Sequence, residues 1–211
     1  WRVVGASAVD SRFEALRAAR TPLLGRDEEI ELLMRRWQQI KRGDGSVVLI
    51  SGEPGIGKSR LAETALERLG DDPHIRLRRF CSPHHQDSAL FPTISQLERA
   101  AGFRRDDTDQ QRLDKLEALL AEANVDLSGT VPLIADLLSV PIGNRYPPLS
   151  LAPQKRREKT LGALLAQLEG LAARRPVLMV FEDVHWIDPS SLDLLDLIVD
   201  RVATLRVLLI I

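Results

Sequence analysis

The sequence predicts an α/β protein: a parallel sheet flanked by helices, with a helical insertion. Three observations carry this reading. Short runs near residues 47–50, 76–81, 177–181 and 205–211 have the length and bounds of strands. Helical periodicity fills the segments between them. The first of these strands leads at once into a glycine-rich loop and then a helix, an order typical of parallel sheets.

Taken in order, residues 1–24 read as a linker and a short helix at 11–20, with Asp10 placed to cap it and Thr21-Pro22 to stop it. Gly25, Arg26, Asp27, Glu28 and Glu29 open a second helix that reaches about residue 41. Its apolar residues Ile30, Leu33, Trp37 and Ile40 recur at helical spacing. Gly43-Asp44-Gly45 ends it. The run 47–50 reads as a strand buried on both faces. A helix is expected over 58–69, and a strand over 76–81 whose charges suggest a sheet edge.

Residues 82–174 form the insertion. Helices are expected near 91–101, 110–123, 132–138 and 153–173, with a proline-bearing turn region at 140–151 between the last two. Residues 177–181 form a third buried strand. Asp188 at N-cap and Pro189 at the first helical position start a helix to about 202. The run 205–211 is a fourth strand. The domain proper is thus expected over 25–211.

A length of 211 residues suits one such domain. With 44% hydrophobic residues it can bury a core, and a net charge of -1 gives no global electrostatic reason to seek nucleic acid or an anionic membrane. The arginine clusters Arg76-Arg78-Arg79 and Lys155-Arg156-Arg157 read as solvated faces. Cys81 is the sole cysteine, so no intrachain disulfide can form, which fits a reducing, cytoplasmic setting. No apolar run approaches the roughly 20 residues of a membrane helix. The chain begins without Met and stops inside an apolar run, so a longer parent protein is expected.

Gly52, Glu53, Pro54, Gly55, Ile56, Gly57, Lys58 and Ser59 match G-x-x-x-x-G-K-[ST] in full. Glycines let the backbone curl so that several N–H groups point at phosphate oxygens. The helix that begins near Lys58 adds its positive end. Lys58 is expected to reach the β- and γ-phosphates of ATP, and the Ser59 hydroxyl to ligate Mg²⁺. Motif and elements together predict a three-layer P-loop NTPase fold.

The strand at 177–181 runs into Glu182 and Asp183. Paired acids at the end of an apolar strand suit a Mg²⁺-nucleotide site: one carboxylate holds the metal through its water shell, and the other orients the attacking water. By position Glu182 is the metal-side acid and Asp183 the water-side acid. Aspartate is the usual first acid, so the reverse split stays open. His185 is expected to pack or hydrogen-bond locally, and Trp186 to anchor core or loop. Cys81, His84 and His85 lack a fourth ligand at zinc-finger spacing.

The segments LLGRDEEIELL, ISGEPGIGKSRLAE, CSPHHQDSALFPTISQLERAAGF and PVLMVFEDVHWIDPSSLDLLD resemble the ATPase region of large bacterial signalling proteins. Those proteins carry a class III adenylate/guanylate cyclase domain, an AAA-type ATPase module of the STAND group and tetratricopeptide-like repeats. The resemblance implies that Gly25 and Arg26 lie near the adenine. It implies a sheet order of 2-3-4-1, with a fifth strand, a polar sensor residue and a lid normally following. Arg60 is counted with the nucleotide-binding residues. It also stands with Arg78, Arg156 and Arg157 among candidate arginine fingers.

The expected function is therefore ATP binding with slow hydrolysis, used as a switch for attached cyclase and repeat domains, with a nucleotide-dependent oligomer as a further expectation. Two alternatives are a nucleotide-binding scaffold that never hydrolyses and a DNA-associated AAA+ ATPase.

Overall fold

The computed structural model describes residues 25–211. The helix expected at 11–20 and its linker lie outside the described residues. Four strands form one sheet: β1 (Ser46–Val48), β2 (Ile75–Phe80), β3 (Val177–Glu182) and β4 (Val207–Ile210). Their order is β1-β4-β3-β2 and every pairing is parallel. The order implied by the family resemblance is thus the observed one.

Seven α-helices among the described residues complete the architecture: α1 (Asp27–Ile40), α2 (Lys58–Leu69), α3 (Phe91–Ala101), α4 (Asp109–Glu122), α5 (Leu127–Leu137), α6 (Pro153–Arg174) and α7 (Pro189–Val202). Strand alternation divides them into two layers. Leu178, Val180, Leu208 and Ile210 face α1 and α2. Val177, Met179, Phe181, Val207 and Leu209 face the larger core built with α3 to α7. The two central strands are thus covered on both sides, as their unbroken apolar runs require.

The stripe Ile30, Leu33, Trp37 and Ile40 is buried along its whole length. Trp37 fixes the end of α1: its Nε1–H donates to Asp72 at 2.9 Å, and Lys41 pairs with the same carboxylate at 2.9 Å. On the other layer, α6 meets the end of α4 at backbone contact. A Cβ on Gly170 would come within 1.8 Å of the Ala123 carbonyl oxygen, so only glycine fits there.

Two expected elements differ. The helix expected at 132–138 begins at Leu127, because Asp126 caps it by accepting from the Ser128 and Gly129 N–H groups. That cap outweighs the single ladder bond that Pro132 removes from inside the helix. The strand expected to be buried on both faces is β1, yet Val47 is 39% exposed and Leu49 is 69% exposed. Among the described residues β1 pairs with β4 alone, so it takes an end position in the sheet.

The arginine cluster at 76–79 is also not a solvated face. Arg79 is only 4% exposed, and Arg78 is half-buried and ion-paired. In contrast, Lys155, Arg156 and Arg157 sit at the surface and pair with Glu158, Asp136 and Asp193. Trp186 is 37% exposed rather than core.

Candidate functional site

The loop after β1 and the acid-bearing end of β3 meet at the carboxyl end of the sheet, where open parallel sheets bind ligands. Backbone bonds hold the first side in place. Ile211 N–H donates to the Val48 carbonyl at 2.9 Å and Ile50 N–H to the Ile211 carbonyl at 2.6 Å, so the chain after β1 tracks β4 up to the loop.

Within the loop, Gly55 (φ +85) and Gly57 (φ +96) adopt left-handed backbone that side chains rarely tolerate. Gly57 is also the N-cap of α2. No side chain caps this end and no acid stands in the first turn, so its N–H groups remain available to an anion. The Lys58 ammonium is held across the loop, donating to the carbonyls of Gly52 at 2.8 Å and Glu53 at 3.1 Å. An ammonium has three donors, so this posture leaves one for a phosphate. Ser59 follows in the first turn of α2.

The second side is built by β3. Glu182 is its last residue. Asp183 then takes a left-handed conformation (φ 54) that turns the chain into the 3₁₀ turn Val184–Trp186. The two sides share a cleft of about 430 Å³, lined by Gly52, Lys58, Ser59, Glu182, Asp183 and His185 over an apolar floor that includes Val180 and Ile210. His185 is exposed there, with its ring 5.0 Å from that of Trp186.

The cleft fits a Mg-nucleotide chemically. No cluster of three or more His, Cys, Asp or Glu among the described residues could hold a metal by itself. Mg²⁺ does not require one, since it is usually held by one or two side chains together with substrate phosphates. Ser59 and Glu182 lining one cleft can supply that protein share.

Sequence reading missed what holds Glu182. Arg78 on β2 donates through Nε to the Glu182 carboxylate and through Nη1 to Glu63 of α2 at 3.1 Å. Glu63 is buried beside Leu61, Ala62, Ala65 and Leu66. A glutamate inside the buried stripe of a helix requires a partner, and that was the available signal. Burial pushes the Glu182 carboxyl above the usual range. The Arg78 contact pulls it down, and the charges of Asp183 and Glu63 add to the rise.

Other expected site residues lie apart. Gly25 and Arg26 precede α1, where Arg26 pairs with Glu29 at 2.7 Å, and they do not line the cleft. Arg60 is half-buried on α2, one residue beyond the motif. Arg156 and Arg157 are on α6 in surface ion pairs. Cys81 is buried, and burial pushes its thiol up to about 12, with Asp188 and Asp183 adding to the rise. His85 lies flat on Phe91, 3.5 Å between ring centroids.

The family model described as "AAA ATPase domain" matches residues 22–211. An uncharacterized protein of Rhizobium meliloti (strain 1021) is 32% identical over 212 residues, an alignment that covers 100% of this chain and 20% of that protein. The chain therefore spans about a fifth of the length of this curated relative. No solved structure gives a significant match. Among the described residues no helix is long and apolar enough to cross a membrane.

Proposed function

The chain belongs to the AAA ATPase domain family, and on that premise we propose that it binds Mg-ATP in the cleft between the loop 52–59 and Glu182-Asp183, and hydrolyses it slowly as a regulatory switch. The observation that carries this is the convergence of both motifs on one cleft. Lys58 neutralises charge on the β- and γ-phosphates, and the first-turn N–H groups of α2 bind them. Ser59 and Glu182 hold Mg²⁺, Glu182 through its water shell. Asp183 orients the attacking water. Phosphoryl transfer needs little covalent chemistry from a protein, so placed charge is what these residues supply.

Gly25 and Arg26 are assigned to the adenine side on the strength of the family resemblance alone. The switch role rests on two supports: the resemblance to cyclase-linked signalling ATPases, and the small share of its relative that the chain spans. Attached cyclase and repeat domains, a cytoplasmic setting and nucleotide-dependent assembly belong to this same reading.

Calorimetry tests the assignment. Lys58→Ala should weaken Mg-ATP binding by about tenfold or more, the loss of one charge-assisted contact. Unchanged affinity in a folded variant overturns it. In the same titrations Arg26→Ala should weaken ATP more than inorganic triphosphate; equal loss removes Arg26 from the adenine side.

A further inference from the structure

A second cavity, of about 340 Å³, lies on the opposite layer of the sheet, between β2 and helices α3, α4 and α6. It shares no lining residue with the cleft of the loop 52–59. Its volume falls in the range of small-molecule sites. Leu119, Leu164, Leu168 and Leu171 give it apolar walls. Gln96 and Gln167, both buried, place amides on it.

Arg79 also lines this cavity, and it is 4% exposed. Its Nε and Nη1 are buried without a hydrogen-bond partner. The Phe181 ring lies 5.2 Å from the guanidinium carbon, which supports the face of the group but not its in-plane N–H donors. Burial draws the guanidinium down to about 10, and no carboxylate contributes to holding it charged. Buried arginines are ordinarily paired with a carboxylate. Of the other charged groups on the walls, the Lys115 ammonium is taken by Asp107 at 2.7 Å and Arg76 stands exposed on the edge strand. Glu122 also lines the cavity, but it makes no hydrogen bond to the buried Nε or Nη1 of Arg79.

We propose that this cavity binds a small organic acid, whose carboxylate pairs with the Arg79 guanidinium and whose short apolar body lies among the leucines of α4 and α6. Water could match the unpaired N–H groups but not the charge. A carboxylate matches the charge and, gripping the two-pronged Nε–Nη2 edge of the guanidinium, the Nε–H donor as well, leaving only Nη1 to water. The leucine walls favour a carboxylate with a hydrocarbon body over a bare inorganic anion, which would leave them facing nothing.

The test uses hexanoate as the probe, the neutral hexanamide and inorganic phosphate as controls, and the whole chain at fixed ionic strength. Hexanoate should shift the Arg79 Nε–H resonance saturably and raise the thermal midpoint, while hexanamide does neither. Arg79→Met should abolish the midpoint shift, and Arg79→Lys should weaken hexanoate by about tenfold, since an ammonium lacks the fork. The wild-type resonance keeps the test decisive if a variant fails to fold. The proposal is overturned if hexanoate leaves that resonance unmoved. It is equally overturned if hexanamide matches hexanoate, if Arg79→Met responds like the wild type, or if phosphate binds as tightly as hexanoate.

Discussion

Arg78 on β2 donates to the carboxylate of Glu182 at the end of β3, residues 104 positions apart in sequence. The acid assigned to the metal therefore reaches the site already oriented by a neighbouring strand. Two opposed influences set its charge: burial raises its proton affinity and Arg78 lowers it.

In Mg²⁺-free protein, Glu182 should hold its proton to higher pH than an ordinary glutamate. Arg78→Ala should raise that pKa further, because it removes the contact that opposes burial. Carboxyl carbon NMR of Glu182 checks both. The folded pKa lies above the unfolded one, so this carboxyl contributes stability below the ordinary glutamate range. The contribution is lost as pH rises through the folded pKa. A fall in the pKa on Arg78→Ala would show that the contact does not govern it.

The two acids should separate by substitution. Asp183→Asn should keep Mg-ATP binding but reduce turnover by about a hundredfold or more, as expected when the group that positions water is lost. Glu182→Gln should instead raise the Mg²⁺ concentration needed for half-maximal binding. Swapped outcomes would exchange the two roles, the alternative that the unusual first glutamate left open. Full turnover in both variants would make the pair structural.

Asp188 should prove a structural anchor. Its buried carboxylate caps α7 at the Ser191 N–H, 2.9 Å, and also accepts from the Leu90 N–H at 3.0 Å. It thereby ties two of the four segments that carried the family resemblance. Asp188→Ala removes a cap and leaves a buried N–H unmatched, so a loss of about 2–4 kcal/mol is expected. Denaturant unfolding measures it, and a loss under about 0.5 kcal/mol would remove Asp188 from this role.

Arg79→Met should stabilise the chain in buffer free of organic acids, by about 1–3 kcal/mol, since it replaces an unmatched buried cation with an apolar side chain. Burial lowers this guanidinium from its ordinary value to about 10, so its charged form costs stability below the folded pKa. The cost is relieved as pH rises through about 10. Thermal unfolding at neutral pH gives the sign, and a destabilised variant would mean that Arg79 has an internal partner.

The loop 52–59, the acid pair and the helical stripe of α1 were legible from the residues alone. Each is a local pattern whose meaning survives without knowing what lies across from it. Glycines at Gly55 and Gly57, a lysine and a hydroxyl at fixed offsets encode a backbone shape and a charge placement within eight residues. The apolar run at β3 likewise announced a buried strand, because a strand covered on both faces has no polar side to alternate with, whereas the similar run at β1 lies at the end of the sheet with Val47 exposed. What the arginines of β2 do depends on the packed fold. Strand pleating sends Arg78 and Arg79 to opposite faces of the sheet, and the parallel register with β3 brings Arg78 to Glu182. A charged trio in sequence looks like a solvated edge. Whether each charge meets a carboxylate, as at Arg78, or a cavity, as at Arg79, depends on neighbours that only the packing of α2, α3 and α6 supplies.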